Sequence, residues 1–367
     1  MGAILTKATL PGSLAQVGHV TPVSPATATG LVRRVYGQLE QDFGMLAPPV
    51  ILHSPAPRSL AACWTMLRES LLAAGAVPRS LREVVAAAVS AANRCPYCAD
   101  VHGATLRGLT RGRYAAEIAA DRIGDIRDPE VREIAQWARG LGRRSTAVRL
   151  PRRTPEENAE LVAVAVTFHY LNRMVNVFLG ESPLPPDVPA RARPGLMRLF
   201  GLVMSTTARR AARPGLSLDL LPAAPLPAEL SWAAGAPHLT GAFAQAAAAV
   251  EEAGRRAVPE PVRELVSAAL AEWDGEPAGP SRAWAEDRVR ALPEECRPAG
   301  RLALLTALAS YQVDHQVIAG FRRTDPGDRA LVELTSWASL AAARTAGAWI
   351  AGPEPVLHTT RNGRTVP

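Results

Sequence analysis

The chain has 367 residues, 48% hydrophobic and 20% charged, enough apolar material for a packed core of one or two domains. Its formal charge of +7 comes from arginines scattered among acidic residues, with Lys7 the only lysine, so no basic stripe singles out nucleic acid. No run reaches the ~18 consecutive apolar residues of a membrane span and no uninterrupted apolar stretch precedes the first prolines as a secretory leader requires. The expectation is therefore a cytoplasmic protein with neither a nucleic-acid nor a membrane partner.

Residues 1–29 are rich in Pro, Thr, Ser and Gly and are expected to be loose. A helical region starts near Gly30, and after the Pro48-Pro49 break a second covers Leu60 to Leu67, with Cys63 as a core filler. Leu81, Val84, Val85, Ala88 and Val89 follow the i, i+3, i+4, i+7, i+8 pattern of an amphipathic helix. Pro96 suits the first position of the next helix, which runs from Tyr97 to Arg107 with Gly108 as its stop. Further helices are expected over 115–120, 129–141 and 155–179. Residues 181–237 turn Pro- and Gly-rich. They carry a basic apolar patch at 196–212 that is read as packing between domains rather than lying on a membrane.

The chemistry concentrates at Cys95-Pro96-Tyr97-Cys98 and His102. On one helix the two thiols and the imidazole share a face. Cys98 lies in the first turn, where unpaired N–H groups favour a thiolate, and His102 can take its proton. Glu83, on the preceding helix, can orient His102. A thiolate that attacks a peroxide becomes a sulfenic acid, which a second thiol converts to a disulfide. An inert cysteine pair is the bland alternative. Zinc lacks an obvious fourth ligand, and haem attachment fails because Ala99 stands where its histidine is required. A glutaredoxin-type motif follows a β-strand, whereas the run ahead of Cys95 is helical. The pattern calls for no metal or other cofactor.

Glu83, eleven residues, Cys95, two residues, Cys98, three residues and His102 together resemble the alkylhydroperoxidase D / carboxymuconolactone decarboxylase family. Phe168 to Asn176 looks like that family's closing helix. The resemblance implies an all-α helical bundle that assembles into oligomers and acts as a peroxidase. Cys98 would attack a hydroperoxide, Cys95 would resolve it, and Glu83 and His102 would relay protons. A lipoyl-bearing or thioredoxin-like dithiol protein would be the reductant. Some peroxidase members carry a second histidine between the cysteines, where this chain has Tyr97, a poorer base. Two other readings of the same pair are a disulfide oxidoreductase and a non-enzymatic redox-sensing scaffold.

The second half echoes the first. Val77 to Val85 aligns with Val258 to Val266, and Glu160 to Val177 aligns loosely with Arg301 to Ile318, which suggests a tandem duplication. The second copy keeps Glu264 but has Glu276, Gly279 and Ala283 where the cysteines and His102 would fall, so it is expected to be degenerate. The expected organisation is a catalytic unit at 30–182, a connector at 183–237, a degenerate unit at 238–352 and a tail at 353–367. His315 and His169 are read as core or interface histidines, and Cys296 as exposed.

Overall fold

Prolines and polar caps start most of the helices, and these helices account for the whole architecture. The structure, a computed structural model, describes residues 10–111, 114–144, 150, 153–185, 188–276 and 279–351. The expected tail at 353–367 lies outside these residues, as does the start of the N-terminal segment. In the first half α1 is Gly30–Gln38, α2 Pro57–Leu67, α3 Arg79–Ala92, α4 Pro96–Thr110, α5 Pro129–Gly140 and α6 Pro155–Phe178. Helix α7, Arg193–Ala208, follows. The second half holds α8 Pro237–Ala257, α9 Glu260–Glu272, α10 Arg297–Ala309, α11 His315–Arg322 and α12 Asp328–Ala351. Shorter helical turns connect them. Among the described residues the only β pairings are isolated bridges, Val17 with Leu179 and Ala73 with Ala212, so the fold is all-α.

Helix α6 is the axis of the molecule. Its start is fixed by a capping box: Thr154 Oγ1 accepts from the Glu157 N–H, while the Glu157 carboxylate accepts from the Thr154 N–H. Apolar residues cover nearly its whole circumference, as a helix buried on all sides requires. By length and composition it could cross a membrane, but 94% of its most apolar stretch is buried inside the protein. It packs on α3 on one side and on α12 on the other.

Helix α3 buries Leu81 to Ser90 against α4, α5 and α6. Its entry is pinned by the buried Glu160 carboxylate, which accepts from the Ala76 and Val77 N–H groups (both 2.8 Å) and from Arg82 (3.1 Å). The turn to α4 passes through Arg94 at φ +52°. Only then does Pro96 open α4.

Several expectations change. Gly108 does not stop α4, which continues to Thr110 and ends at Arg111 in the left-handed conformation. A Cβ at Gly108 would sit 2.6 Å from the Gly201 carbonyl, and one at Gly201 would sit 2.4 Å from the Ala104 carbonyl. The two glycines therefore let α7 cross directly on the backbone of α4. The basic apolar patch is this helix. It buries Gly201, Met204, Ser205 and Ala208 and leaves Leu196, Leu199 and Leu202 exposed.

The N-terminal segment, expected to be loose, is tied down over its described part. Gly18 N–H donates to Phe178 (2.7 Å), Val23 N–H to Ser54 Oγ (2.7 Å), and Tyr36 Oη–H to the Val23 carbonyl (2.8 Å). Cys63 is buried in the core, whereas Cys296 is half-buried rather than exposed. The stretch 301–318, aligned above with 160–177, is not one helix: it holds the end of α10, a short 3-10 turn and the start of α11. The 24-residue counterpart of α6 in length is α12. Buried apolar residues of both halves belong to one continuous cluster.

Candidate active site

The α3–α4 corner brings four side chains to one place. Glu83 is 0% exposed, Cys95 1%, Cys98 3% and His102 9%. Glu83 projects from the middle of α3 and meets the second turn of α4, where its Oε2 lies 2.7 Å from His102 Nδ1. Its other oxygen accepts from Arg79, one helical turn earlier, at 2.7 Å. Burial alone would raise the Glu83 carboxyl, but the Arg79 guanidinium and the hydrogen bond to His102 bring it below the ordinary carboxylate range. An ionised Glu83 fixes the proton of His102 on Nδ1 and leaves Nε2 as the ring nitrogen free of Glu83. The imidazole is also held edge-on by Phe168 of α6, centroids 4.5 Å apart.

The cysteines are held from the other side. Burial pushes the Cys98 thiol well above its ordinary range, and Cys95, hydrogen-bonded to it, pushes it further. The Asn172 amide opposes this by its own hydrogen bond to Cys98. Asn172 is itself fixed, donating to Ser90 Oγ (3.0 Å) and accepting from Asn93 Nδ2 (3.0 Å). Both cysteines are present as free thiols.

Cys98 and His102 line an apolar cavity of about 80 Å³, together with Tyr97, Val101, Phe168 and Leu171. Pro48, Val50 and Leu67 close one side, and Phe200 and Met204 of α7 close another. Cys95 is not on this wall; it sits behind Cys98 among Tyr97 and Val175. The two thiols thus occupy different places, one against the cavity and one beneath it. Tyr97 donates its hydroxyl to Gln16 Oε1 (2.8 Å), and burial raises its phenol far above the ordinary value. Among the described residues no three His, Cys, Asp or Glu side chains converge as a metal-binding group.

Arg79 and Asn172 also act on this corner; neither is among the candidate site residues, though Asn172 lies in the 168–176 stretch that resembles the family's closing helix. Arg79 is legible as an i, i+4 partner of Glu83, but nothing local tells that Asn172, on another helix, meets Cys98. His169 does not reach the cavity. It is buried beside Asn93 (3.2 Å), and burial with the nearby Arg173 pulls its imidazole down to about 3. His315 is exposed at the start of α11, with its ring 6.1 Å from that of His19, rather than in the core. Glu264 of the second half is exposed on α9, unlike the buried Glu83.

Residues 58–139 match the sequence model of the carboxymuconolactone decarboxylase family, a segment that contains all four clustered side chains. A Mycobacterium tuberculosis protein named alkyl hydroperoxide reductase is 38% identical over 335 residues, covering 91% of this chain and 95% of its own length.

Proposed function

Since the chain belongs to the alkylhydroperoxidase D / carboxymuconolactone decarboxylase family, we propose that it is a thiol-dependent hydroperoxide reductase working through Cys95 and Cys98. The observation that carries this reading is the shared wall: Cys98 and His102 border the same apolar cavity, with Glu83 2.7 Å behind the imidazole. An apolar cavity suits an organic hydroperoxide better than a charged substrate.

The resting Cys98 is a thiol, because burial and Cys95 both disfavour its anion. It reacts once Nε2 of His102 accepts its proton, with the Glu83 carboxylate stabilising the imidazolium that forms. The thiolate attacks one peroxide oxygen, and the O–O bond breaks. The departing alkoxide takes the proton from His102 and leaves as an alcohol, while Cys98 becomes a sulfenic acid. Cys95 then attacks the Cys98 sulfur, forming the disulfide and expelling water. An external dithiol restores both thiols by two exchange steps and is itself oxidised to a disulfide. The family resemblance points to a lipoyl-bearing or thioredoxin-like donor, and recycling of the pair suits a reducing, cytoplasmic setting. Tyr97, with its phenol raised and bound to Gln16, takes no proton in this scheme.

The test is consumption of tert-butyl or cumene hydroperoxide with a supplied dithiol, alongside mass analysis of the peptide containing Cys95 and Cys98. Cys98→Ser abolishes turnover, whereas Cys95→Ser consumes one equivalent and leaves a trappable sulfenic acid. Turnover surviving in Cys98→Ser would overturn the assignment.

A further inference from the structure

A second cleft, of about 60 Å³, opens between the two halves, away from the apolar cavity. Four guanidinium groups border it, from Arg94, Arg139, Arg143 and Arg173. Two of them are answered by carboxylates. Arg139 is held by both oxygens of Asp121 (2.6 and 2.7 Å), and Arg143 lies 3.5 Å from Glu276.

The other two are not matched by an acid among the described residues. Arg94 lies over the Tyr311 ring, 4.8 Å from its centroid. Arg173 is only 6% exposed; it donates to the Ala307 and His169 carbonyls (2.8 and 2.6 Å), lies near the His169 ring nitrogen, and sits over the Trp273 ring, 5.7 Å from its centroid, but none of these partners is an anion. Burial draws its guanidinium down to about 10, with no carboxylate to oppose the effect. A cation buried without a counter-charge is costly, and an arginine kept in that state on a cavity wall is matched best by an anion entering the cavity. Tyr311 on the same wall has a buried hydroxyl without a hydrogen bond among the described residues.

We infer that this cleft is an oxyanion-binding site, taking the carboxylate or phosphate group of a small molecule between Arg94 and Arg173 with Tyr311 as an additional donor. The planar fork of a guanidinium matches both oxyanions, and the cleft has room for one such group. The site is separate from the hydroperoxide cavity and does not depend on the reaction assigned to it. It is nevertheless close to the thiols: Arg94 immediately precedes Cys95, and Asn93, on the same wall, bonds to the Asn172 that holds Cys98.

The experiment is calorimetric titration of the full chain at constant ionic strength, with inorganic phosphate in one arm, succinate in a second and chloride as reference. Saturable binding of phosphate alone identifies a phosphate group, and of succinate alone a carboxylate; either result supports the site. Arg94→Gly, which suits the positive φ there, and Arg173→Met each weaken binding by about tenfold, the loss of one charge-assisted hydrogen bond. Should Arg173→Met fail to fold, Arg94→Gly alone decides. Binding of neither anion beyond chloride, or undiminished binding in folded variants, would overturn the inference.

Discussion

Replacing Glu83 by glutamine tests the relay with the least disturbance. Glutamine has the same shape, and its carbonyl oxygen can still accept from Arg79, so the α3–α4 corner keeps its packing. What is lost is the anion 2.7 Å from His102 Nδ1 and, because the amide nitrogen now faces that ring nitrogen, the acceptor for its proton, in a site where Glu83 has no exposed surface. A hydrogen bond to a charged group is worth about 1.5–3 kcal/mol, and about 4 kcal/mol is the Coulomb ceiling for two charges some 4 Å apart at an effective dielectric of about 20. Taken against the imidazolium formed when Cys98 is deprotonated, the hydrogen-bond range lowers kcat/KM by about 10- to 150-fold. The assay is initial rate against hydroperoxide concentration at saturating dithiol, with urea unfolding as the control for fold. A loss below about threefold in a folded variant refutes the relay, because an imidazole that never bears charge in the rate-limiting step would not notice the missing carboxylate.

Four further outcomes follow from the same geometry. Because the folded Glu83 carboxyl lies below its ordinary value of 4.5, its contribution to stability is fully present above that pH and is lost as pH falls through the lower folded value; unfolding midpoints measured between neutral pH and about pH 3 check this. Tyr97→Phe removes only the bond to Gln16, so peroxide turnover stays within about threefold, and stability falls by about 1 kcal/mol or less. Glu160→Ala strips a buried carboxylate from Arg82 and from the Ala76 and Val77 N–H groups; it costs about 3–5 kcal/mol, read as a lower urea midpoint. Gly201→Ala drives a methyl toward the Ala104 carbonyl, destabilises by about 1–3 kcal/mol and raises KM for hydroperoxide as the Phe200 and Met204 wall shifts; an unchanged melting temperature contradicts it.

What could be read in advance is local. Apolar periodicity placed α3, Pro96 placed the start of α4, and the offsets of Glu83, Cys95, Cys98 and His102 were visible as a cluster because each rests on one helix or on two consecutive ones. What escaped is long-range. Asn172 lies 74 residues beyond Cys98 in sequence, and an asparagine inside an apolar helix gives no sign of its partner. Gly108 looks like a helix stop because a glycine near the end of a helical run usually is one; its actual neighbour, Gly201, belongs to a helix that composition alone shows only as a patch. The N-terminal residues read as loose because they lack periodicity, yet single hydrogen bonds to Phe178 and Ser54 are enough to fasten them.

The half of the chain without the CxxC motif reaches deep into the half that has it. Tyr170 donates to Ser336, Arg173 to the Ala307 carbonyl, and Ser339 to the Met174 sulfur, so every one of these inter-half bonds touches α6, the helix that also bears Phe168 and Asn172. Cutting the gene near the middle would not release a minimal enzyme. It would strip the covering from α6 and leave a sticky fragment whose thiols have lost their alignment. The redundant-looking portion is thus an intramolecular splint for the helix that backs the thiols.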